Sequence, residues 1–578
     1  MANPVVDGCR ICDATFMVWM RFYDRLRVPH APIASAVIAV LVAVTGCSVS
    51  SPEVVTHHLH LPLSGPCPTD AAVLSRGEFG ADVQEFIATV AGPGIAASVS
   101  GSGVGAVTLE NVPPGDDRVF ALFGVASGQA TWRGISAPTA VVAGDAPTID
   151  VVMAAVADVS CARSVAGARA FHTATLLQNG TILVVGGAGT ISDASSTCLS
   201  DCLKATATAS ATVYDPKTGA FTEVGSLTGP RMFHTAASLP DGRVVIAGGT
   251  SEAFLRGVDD ALYPFPIEPT RPLNTIEVYD PRTALFSPAG ADPAGARVFA
   301  AAITTLTGQV LITGGVPGPA QGGPNNLGNA MASTTLCSGG SLACVAGPPM
   351  ARPRAGHMIF TIDPEGVFIW GGSVDSAGEG YQMEHLPGGA PSFELLSVAG
   401  MQPTRNVFFA AGTRYLDFRF LAAGGLFRRA DGTFSAVDDA NNNLAARAYV
   451  FDITSGANGG LTPPMSMAGG RIFGSAAPLP DQASAVVVGG FSVPANLNNL
   501  DWTATSDLQL FDEASLQMLA ITVNGQPRTL REPRAGLTAT AVGDGTVVLV
   551  GGYADNRVID TGEVFADIKT PPQAAGFQ

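Results

Sequence analysis

Positive charge and familiar catalytic motifs are both scarce in this chain of 578 residues. Only three lysines occur (Lys204, Lys217 and Lys569), and the formal net charge at pH 7 is −17. Nucleic-acid binders carry basic patches or stripes, so this balance argues against a nucleic-acid partner. The sequence also lacks a Gly-x-Ser-x-Gly motif, a His-Glu-x-x-His motif and a phosphate-binding loop, so none of these catalytic classes is indicated.

Long hydrophobic runs are also missing, because the one apolar stretch near the start covers only residues 34–44. That length is too short for a membrane-spanning helix, and the arginines before it are typical of an export signal. The following Val44-Thr45-Gly46-Cys47 resembles a bacterial lipobox. The resemblance implies a lipoprotein signal peptide over residues 1–46 and lipidation of Cys47, with Ser48 directing the protein to the outer membrane. A plain secretory signal with an incidental cysteine is the alternative.

These features predict an outer-membrane or cell-surface location, held by the lipid anchor only, with the periplasmic face as an alternative. Residues 1–16 contain Asp7 and Asp13, which are unusual in such a signal, so we expect translation to start at Met17 or Met20. Residues 47–66 are predicted to be the lipidated cysteine and a flexible tether. Three histidines lie in that tether (His57, His58 and His60), and a solvated linker or a metal-binding segment would account for them.

Six further cysteines follow the lipobox, and an even number in an exported chain predicts three disulfides. Local pairing joins Cys198 with Cys202 and Cys337 with Cys344, which leaves Cys67 with Cys161. The rival interpretation is a metal site, but a Cys-x3-Cys pair without a nearby histidine is poor zinc spacing. We therefore expect no metal and no cofactor. The acidic and amide side chains of residues 438–443 are a calcium alternative, although such loops are usually only solvated.

An internal repeat runs through most of the chain. Seven arginines are each followed by an apolar run and a Gly-Gly doublet, at offsets of 17, 17, 17, 17, 19, 18 and 17 residues. A fixed period indicates one supersecondary unit used repeatedly. The arginines are Arg169, Arg231, Arg297, Arg354, Arg405, Arg471 and Arg534, and the doublets begin at Gly186, Gly248, Gly314, Gly371, Gly424, Gly489 and Gly551.

Each unit is predicted to hold four antiparallel strands. In the first unit, two short apolar runs flank the hairpin turn at Asn179-Gly180, and a third strand carries Tyr214 before the turn at Pro216. A fourth strand opens at Phe221. Seven such units predict a seven-bladed β-propeller, with a miscount by one blade left open because the fourth and fifth units lack the Tyr-Asp signature.

The repeats resemble those of the kelch family, in the bacterial branch with galactose oxidase-type propellers. The matching residues are the Arg-x-x-His starts that end at His172, His234 and His357, the Gly-Gly strand ends, and the turns at Tyr214 and Tyr279. The oxidase branch uses copper with two tyrosines, one of them cross-linked to a cysteine. No Tyr–Cys pair is placed for that here, so we do not expect a copper radical enzyme.

The predicted organisation is all-β. A small β-sandwich domain over residues 67–155 precedes the propeller at 156–567, and residues 568–578 form a tail. In its turn placement, the stretch from Leu109 to Met153 resembles the transthyretin-like or carboxypeptidase-regulatory-type domains of bacterial surface proteins. Residues 156–161 are expected to supply the outer strand of the last blade, because an unpaired blade edge invites aggregation. We predict a monomer.

Long segments follow the second strand of five units, at about 188–210, 250–274, 316–330, 426–446 and 491–506, all on one face. The seven arginines start strands on that face, so they would either ring a ligand-binding channel mouth or pair within the scaffold. The leading hypothesis is a surface protein that binds a glycan or protein through these segments. The alternatives are an extracellular carbohydrate-active enzyme (an oxidase, isomerase or hydrolase) at the channel mouth and a structural envelope protein.

Overall fold

The computed structural model describes residues 54–60 and 83–566, apart from gaps at 92–97, 102–107, 111, 128, 137–138, 143–147, 163–166, 198–201, 257–266, 319–328, 341, 375–382, 401–405, 429–433, 436–442, 456–457, 480–482, 494–502, 524 and 544. All of them belong to one compact unit, Ser51–Gln578. The predicted signal peptide and tail lie outside the described residues, as do Cys47, Cys67, Cys198, Arg405 and residues 438–442. In the described part of the chain, no helix is long and apolar enough to cross a membrane.

The first eight strands form one sheet of this unit, and we call this segment the N-terminal domain. A single sheet has the order β3-β2-β5-β6-β8-β1-β4, and β7 pairs with the start of β5. Its core holds Phe86, Val90, Phe120, Leu122 and Val151. The strands are β1 (Val54–His60), β2 (Glu85–Ala91), β3 (Ser98–Gly101), β4 (Thr108–Glu110), β5 (Gly115–Ala126), β6 (Gln129–Ile135), β7 (Thr139–Val141) and β8 (Thr148–Ala155).

Two sequence predictions are wrong in this domain. The tether predicted over residues 47–66 contains strand β1, which pairs in parallel with β8 from Thr56 to His60. The domain therefore begins before residue 67, and the three histidines are part of a strand. The segment predicted to be an antiparallel sandwich forms one sheet. This sheet is mixed, because the β1–β8 pair is parallel. Turn placement alone could not reveal either feature, since a parallel pair joins segments that are far apart in sequence.

The repeats fold into seven blades of four antiparallel strands, so the predicted seven-bladed propeller is confirmed. The second strand of each blade is almost entirely buried, because it is hydrogen-bonded on both edges and packed on both faces. The seven blades in turn comprise β10 (Thr173–Leu176), β11 (Ile182–Val185), β14 (Ala211–Asp215) and β15 (Ala220–Glu223); β16 (Thr235–Ser238), β17 (Val244–Ala247), β20 (Thr275–Asp280) and β21 (Leu285–Ala291); β22 (Ala301–Thr304), β23 (Val310–Thr313), β24 (Thr334–Cys337) and β25 (Cys344–Ala346); β26 (Met358–Ile362), β27 (Gly366–Trp370), β28 (Met383–Pro387) and β29 (Glu394–Leu396); β31 (Ala411–Arg414), β32 (Arg419–Ala423), β35 (Arg447–Asp452) and β36 (Gly460–Leu461), with β37 (Met465–Ser466) also on β35; β39 (Ser475–Pro478), β40 (Ser484–Val488), β42 (Leu508–Asp512) and β43 (Gln517–Ala520); and β46 (Thr538–Ala541), β47 (Thr546–Val550), β50 (Gly562–Ala566) and β9 (Val159–Cys161).

The ring closes as the sequence predicts. Strand β9, just after the N-terminal domain, is the outermost strand of the seventh blade and pairs with β50. Arg531 Nε also donates to the Val159 carbonyl oxygen at 2.7 Å. Val159 is fully buried in a cluster with Val547 and Phe565. The first and last parts of the propeller are therefore held together by one strand.

Further strands lie between the blade strands. Segments that follow the Gly-Gly doublets of the first two blades form a four-stranded sheet of order β12-β13-β18-β19, and the later strands form shorter sheets. These strands are β12 (Ala188–Asp193), β13 (Cys202–Ala207), β18 (Glu252–Arg256), β19 (Ile267–Pro269), β30 (Val407–Phe408), β33 (Leu426–Arg428), β34 (Phe434–Ser435), β38 (Arg471–Ile472), β41 (Phe491–Ser492), β44 (Thr522–Val523), β45 (Gln526–Pro527), β48 (Tyr553–Ala554) and β49 (Arg557–Val558), with a 3-10 turn at Leu444–Ala446.

The closing strand gives a stability prediction. Val159→Asp would bury a carboxylate in the seventh blade, and we expect it to lower the free energy of unfolding by about 3 kcal/mol or more. Val142, which is 60% exposed, offers a matched control, and Val142→Asp should change stability by about 0.5 kcal/mol or less. Urea unfolding of both variants checks this. Equal effects would show that β9 does not close the ring.

Candidate functional site

Six of the seven repeated arginines are buried in the scaffold. Arg169, Arg231, Arg297, Arg354, Arg471 and Arg534 are each at most 1% exposed. In every case Nη1 donates to the carbonyl oxygen of the first glycine of the doublet in the same repeat. The six distances between Nη1 and that oxygen lie between 2.7 and 3.2 Å. The regular sequence separation between arginine and doublet therefore has a structural cause, because these two residues are joined by a hydrogen bond.

The second glycine of each doublet links one repeat to the next. The Gly187 N–H donates to the Arg231 carbonyl oxygen at 2.8 Å, and the last doublet returns to the first repeat through Gly552 and Arg169. Both glycines of the first doublet have positive φ. A Cβ at Gly187 would lie 2.7 Å from the Ala170 carbonyl oxygen, so no other residue fits.

Carboxylates compensate most of the buried guanidinium groups. Arg231 pairs with Glu277 at 2.5 Å, Arg354 with Glu384 at 2.6 Å and Arg534 with Glu563 at 2.7 Å. These three glutamates lie on the third strand of their blades and also accept backbone N–H groups. Arg297 pairs with Asp292 and Arg471 with Asp507. Arg169 donates to Ser210, and burial lowers its pKa to about 10, which leaves it charged.

The fifth repeat differs from the sequence prediction. Arg405 lies outside the described residues, and Val407 takes the position that the arginines hold in the other blades. The Gly372 N–H donates to the Val407 carbonyl oxygen at 3.0 Å, as its counterparts do to the arginines. Val407 stands 17 residues before Gly424, which restores the common spacing. Val407, and not Arg405, is therefore the equivalent of the six buried arginines, and its side chain cannot make the guanidinium contact.

A closed ring of backbone hydrogen bonds surrounds the propeller axis. It runs through the residue two positions after each arginine position, and each N–H donates to the carbonyl oxygen of the preceding blade's ring residue, at 2.7 to 3.3 Å. All seven residues have φ between 53° and 63°. The bond from Phe171 to Gly536 closes the circle. The members are Phe171, Phe233, Phe299, Gly356, Phe409, Phe473 and Gly536.

The five phenylalanine side chains of this ring fill the axis, and we call them the plug. Their centroids are 4.5 to 5.5 Å apart around the circle. Phe233 and Phe473, from the second and sixth blades, also meet at 6.3 Å. A Cβ at Gly356 or Gly536 would lie 2.6 Å from a neighbouring phenylalanine ring, so these positions have no room for a sixth ring.

The plug and the buried arginines do not form the predicted ligand-binding channel mouth. The guanidinium groups are directed into the blades, toward glycine carbonyls and carboxylates, and apolar rings occupy the axis at that end. Of the two interpretations of the arginines, the geometry supports the scaffold element. The physical reason is that a buried cation requires compensating partners, and the fold supplies them within each blade.

Three of the repeated histidines are also buried in the scaffold. His172, His234 and His357 are buried, and each Nε2 lies 2.7 to 2.9 Å from a threonine hydroxyl of an adjacent blade. Burial and the neighbouring arginines lower their pKa values, to about 3 for His234 and His357. They are therefore neutral, and they bridge blades. The described residues contain no group of three or more His, Cys, Asp or Glu side chains placed to hold a metal.

The segments after the doublets cover the plug, and we call the layer built from β12, β13, β18, β19, β33, β34 and β41 the cap. Its apolar residues, including Ile191, Leu255, Ile267 and Phe434, share one buried cluster with Phe171 and Phe233. The inserted segments are thus anchored on the scaffold. This layer is where the repeats differ most from each other.

The disulfide between Cys337 and Cys344 is confirmed, and it joins two strands of the third blade. Cys161 and Cys202 are also disulfide-bonded. Their predicted partners, Cys67 and Cys198, lie outside the described residues.

Sequence reasoning missed the glutamate partners and the plug. A phenylalanine recurs two residues after four of the arginines, so the plug had a signal in the repeat alignment. The signal for the glutamates is weaker, because the residue type at this position of the third strand varies. It is Glu277 in the second blade, but Thr212 in the first and Gln509 in the sixth.

No protein-family model matches this chain, and a search of curated proteins finds no match. Among solved structures, the chain is similar to a copper-bound fungal alcohol oxidase of the AA5 family. The match has a TM-score of 0.47 and 15% sequence identity, and it covers 72% of this chain and 78% of that chain.

The buried ion pairs predict large effects of truncation. Arg231→Met should lower the free energy of unfolding by about 3–5 kcal/mol, since it leaves Glu277 buried without its cation. The further change Glu277→Gln should restore part of this loss. Arg282→Met is the control, because its pair with Asp280 is 72% exposed on the arginine side, so solvent screens it and its loss should change stability little. Denaturant unfolding measures all three. If Arg231→Met lowered the free energy of unfolding no more than Arg282→Met does, Arg231 would not be a stabilising residue of the scaffold.

The buried histidines predict a pH dependence. The folded-state pKa of His234 is about 3, whereas the unfolded value is about 6.5, so the unfolded chain binds the proton first as pH falls. Stability should thus fall from pH 7 to pH 5, by about 2 kcal/mol for this residue. His234→Gln should remove that part of the slope, and urea unfolding at the two pH values measures it. An unchanged slope in His234→Gln would contradict the assignment.

Proposed function

We propose that this protein is a non-catalytic, lipid-anchored binding protein that recognises a glycan or a protein through the outer surface of the cap. One observation carries the proposal. The repeated residues are used inside the scaffold, and the axis at the arginine end is filled by the plug. The surface left for recognition on this face is therefore built from the inserted segments, which vary between repeats.

The rigidity of the cap supports a binding role. Its strands are hydrogen-bonded across repeats, as between β13 of the first insertion and β18 of the second. Its inner face packs on the plug. A surface held in this way loses little conformational entropy when a ligand binds, which favours affinity. The anchor at Cys47 would present this surface at the outer membrane.

Blocking the cap tests the binding surface. The exposed residues Thr190 and Thr206 lie opposite each other on β12 and β13, and changing both to arginine should weaken binding at least tenfold by bulk and charge. The matched control changes Asn179 and Thr218 to arginine. Both are exposed, in the turns that join β10 to β11 and β14 to β15. Binding of the full chain to a glycan array and to extracellular proteins is the measurement. Equal loss in both variants, or chemical conversion of a bound glycan, would contradict a cap-based binding function.

Changing the lipobox cysteine tests the anchor. Cys47→Ala should move the protein from the membrane fraction to the soluble exported fraction and abolish incorporation of labelled fatty acid. The control is Cys344→Ala, which removes the disulfide of the third blade and should leave fatty-acid incorporation intact. Retention of Cys47→Ala in the membrane fraction would refute the anchor.

A further inference from the structure

The sheet formed by β12, β13, β18 and β19 has one buried and one open face. Ile191, Ala205, Ala253, Leu255 and Ile267 are buried on the inner face, above the plug. Because side chains alternate along a strand, the residues between them lie on the outer face. Four strands at about 4.8 Å spacing make this face about 14 Å wide.

The strand register sets two rows of side chains on the outer face. The first row holds Ser192, Lys204, Phe254 and Glu268, which are consecutive cross-strand partners. The second row holds Thr190, Thr206 and Glu252. The partly exposed ring of Phe254 thus lies beside hydroxyls, an ammonium group and carboxylates of these two rows.

The polar groups of this face are already ordered. Lys204 Nζ lies 2.9 Å from Glu252 Oε2, and the Lys204 side chain is 39% exposed. The hydrogen bond from Lys204 lowers the pKa of Glu252, and the Thr270 hydroxyl donates to the same carboxylate at 3.3 Å. Donors and acceptors are consequently held in fixed positions beside the ring.

We propose that this outer face is a binding platform for neutral oligosaccharides. A pyranose presents a C–H face that packs on an aromatic ring and hydroxyls that both donate and accept, and this platform offers both kinds of contact. Among the described side chains of this face the charges balance, because Lys204 and the nearby Arg271 stand against Glu252 and Glu268. That balance favours an uncharged sugar over an anionic polysaccharide.

This inference rests on the proposed binding function and narrows it to one ligand class and one site. The test measures binding of the full chain to neutral oligosaccharides (gluco-, manno-, galacto- and chito-series) and to an anionic polysaccharide, heparin. Phe254→Ala should weaken neutral-sugar binding at least fivefold, and Phe254→Tyr should retain it within twofold. Phe286→Ala, a partly exposed phenylalanine on the outer strand β21, is the matched control and should bind like the parent chain. Thermal unfolding verifies that each variant is folded.

Each outcome decides the inference. A loss confined to Phe254→Ala supports it. Sugar binding that Phe254→Ala leaves unchanged overturns the platform while the proposed binding function survives. Heparin binding without neutral-sugar binding overturns the ligand class. Binding of a protein but of no glycan also overturns the inference, and the paired arginine variants at Thr190 and Thr206 then decide whether the cap is the binding surface.

Discussion

The fold depends on one contact, the hydrogen bond from a buried arginine to the first glycine of its own repeat. It ties the start of the first strand to the end of the second, inside each of six blades. The second glycine then donates to the arginine position of the next blade. A buried guanidinium is costly unless compensated, so the carbonyls and the third-strand glutamates are required by the same contact. In the fifth blade only the backbone hydrogen bond between blades is present, from the Gly372 N–H to the Val407 carbonyl oxygen.

The separation between repeated and inserted residues has a physical basis. Repeated residues face the same surroundings in each blade, so selection for packing keeps them alike. Inserted segments are free to differ once their inner faces are anchored, and here Ile191, Leu255 and Ile267 are anchored on the plug. The chemical differences between repeats are accordingly found on the outer face of the cap.

Much of the propeller could be predicted from the sequence. The hairpin turn at Asn179-Gly180 and the third strand at Tyr214 follow from local patterns, and the closing strand that ends at Cys161 follows from the unpaired edge of the last blade. The disulfide between Cys337 and Cys344 follows from their proximity in sequence. These features are local, or they follow from the need to close a ring.

The misses involve relations between distant segments and the directions of side chains. Arg405 lies two residues before the position that is equivalent to the other six arginines. Only the hydrogen bond between blades shows that Val407 occupies this position. The arginines begin strands at the axis, but the sequence does not reveal that their guanidinium groups turn into the blades. Strand β1 pairs with β8, about 90 residues later, and β13 pairs with a strand from another repeat. Nothing in a single insertion indicates such a partner.

The central claim is that the repeated arginines belong to the scaffold, and chemical footprinting tests it most directly. Phenylglyoxal labels accessible guanidinium groups, and mass spectrometry locates them. In the native protein we expect rapid labelling of Arg282 and Arg271 and negligible labelling of Arg169, Arg231, Arg297, Arg354, Arg471 and Arg534, which react only after unfolding. Labelling of those six at rates like that of Arg282 in the folded protein would contradict the account and return them to a ligand-facing surface.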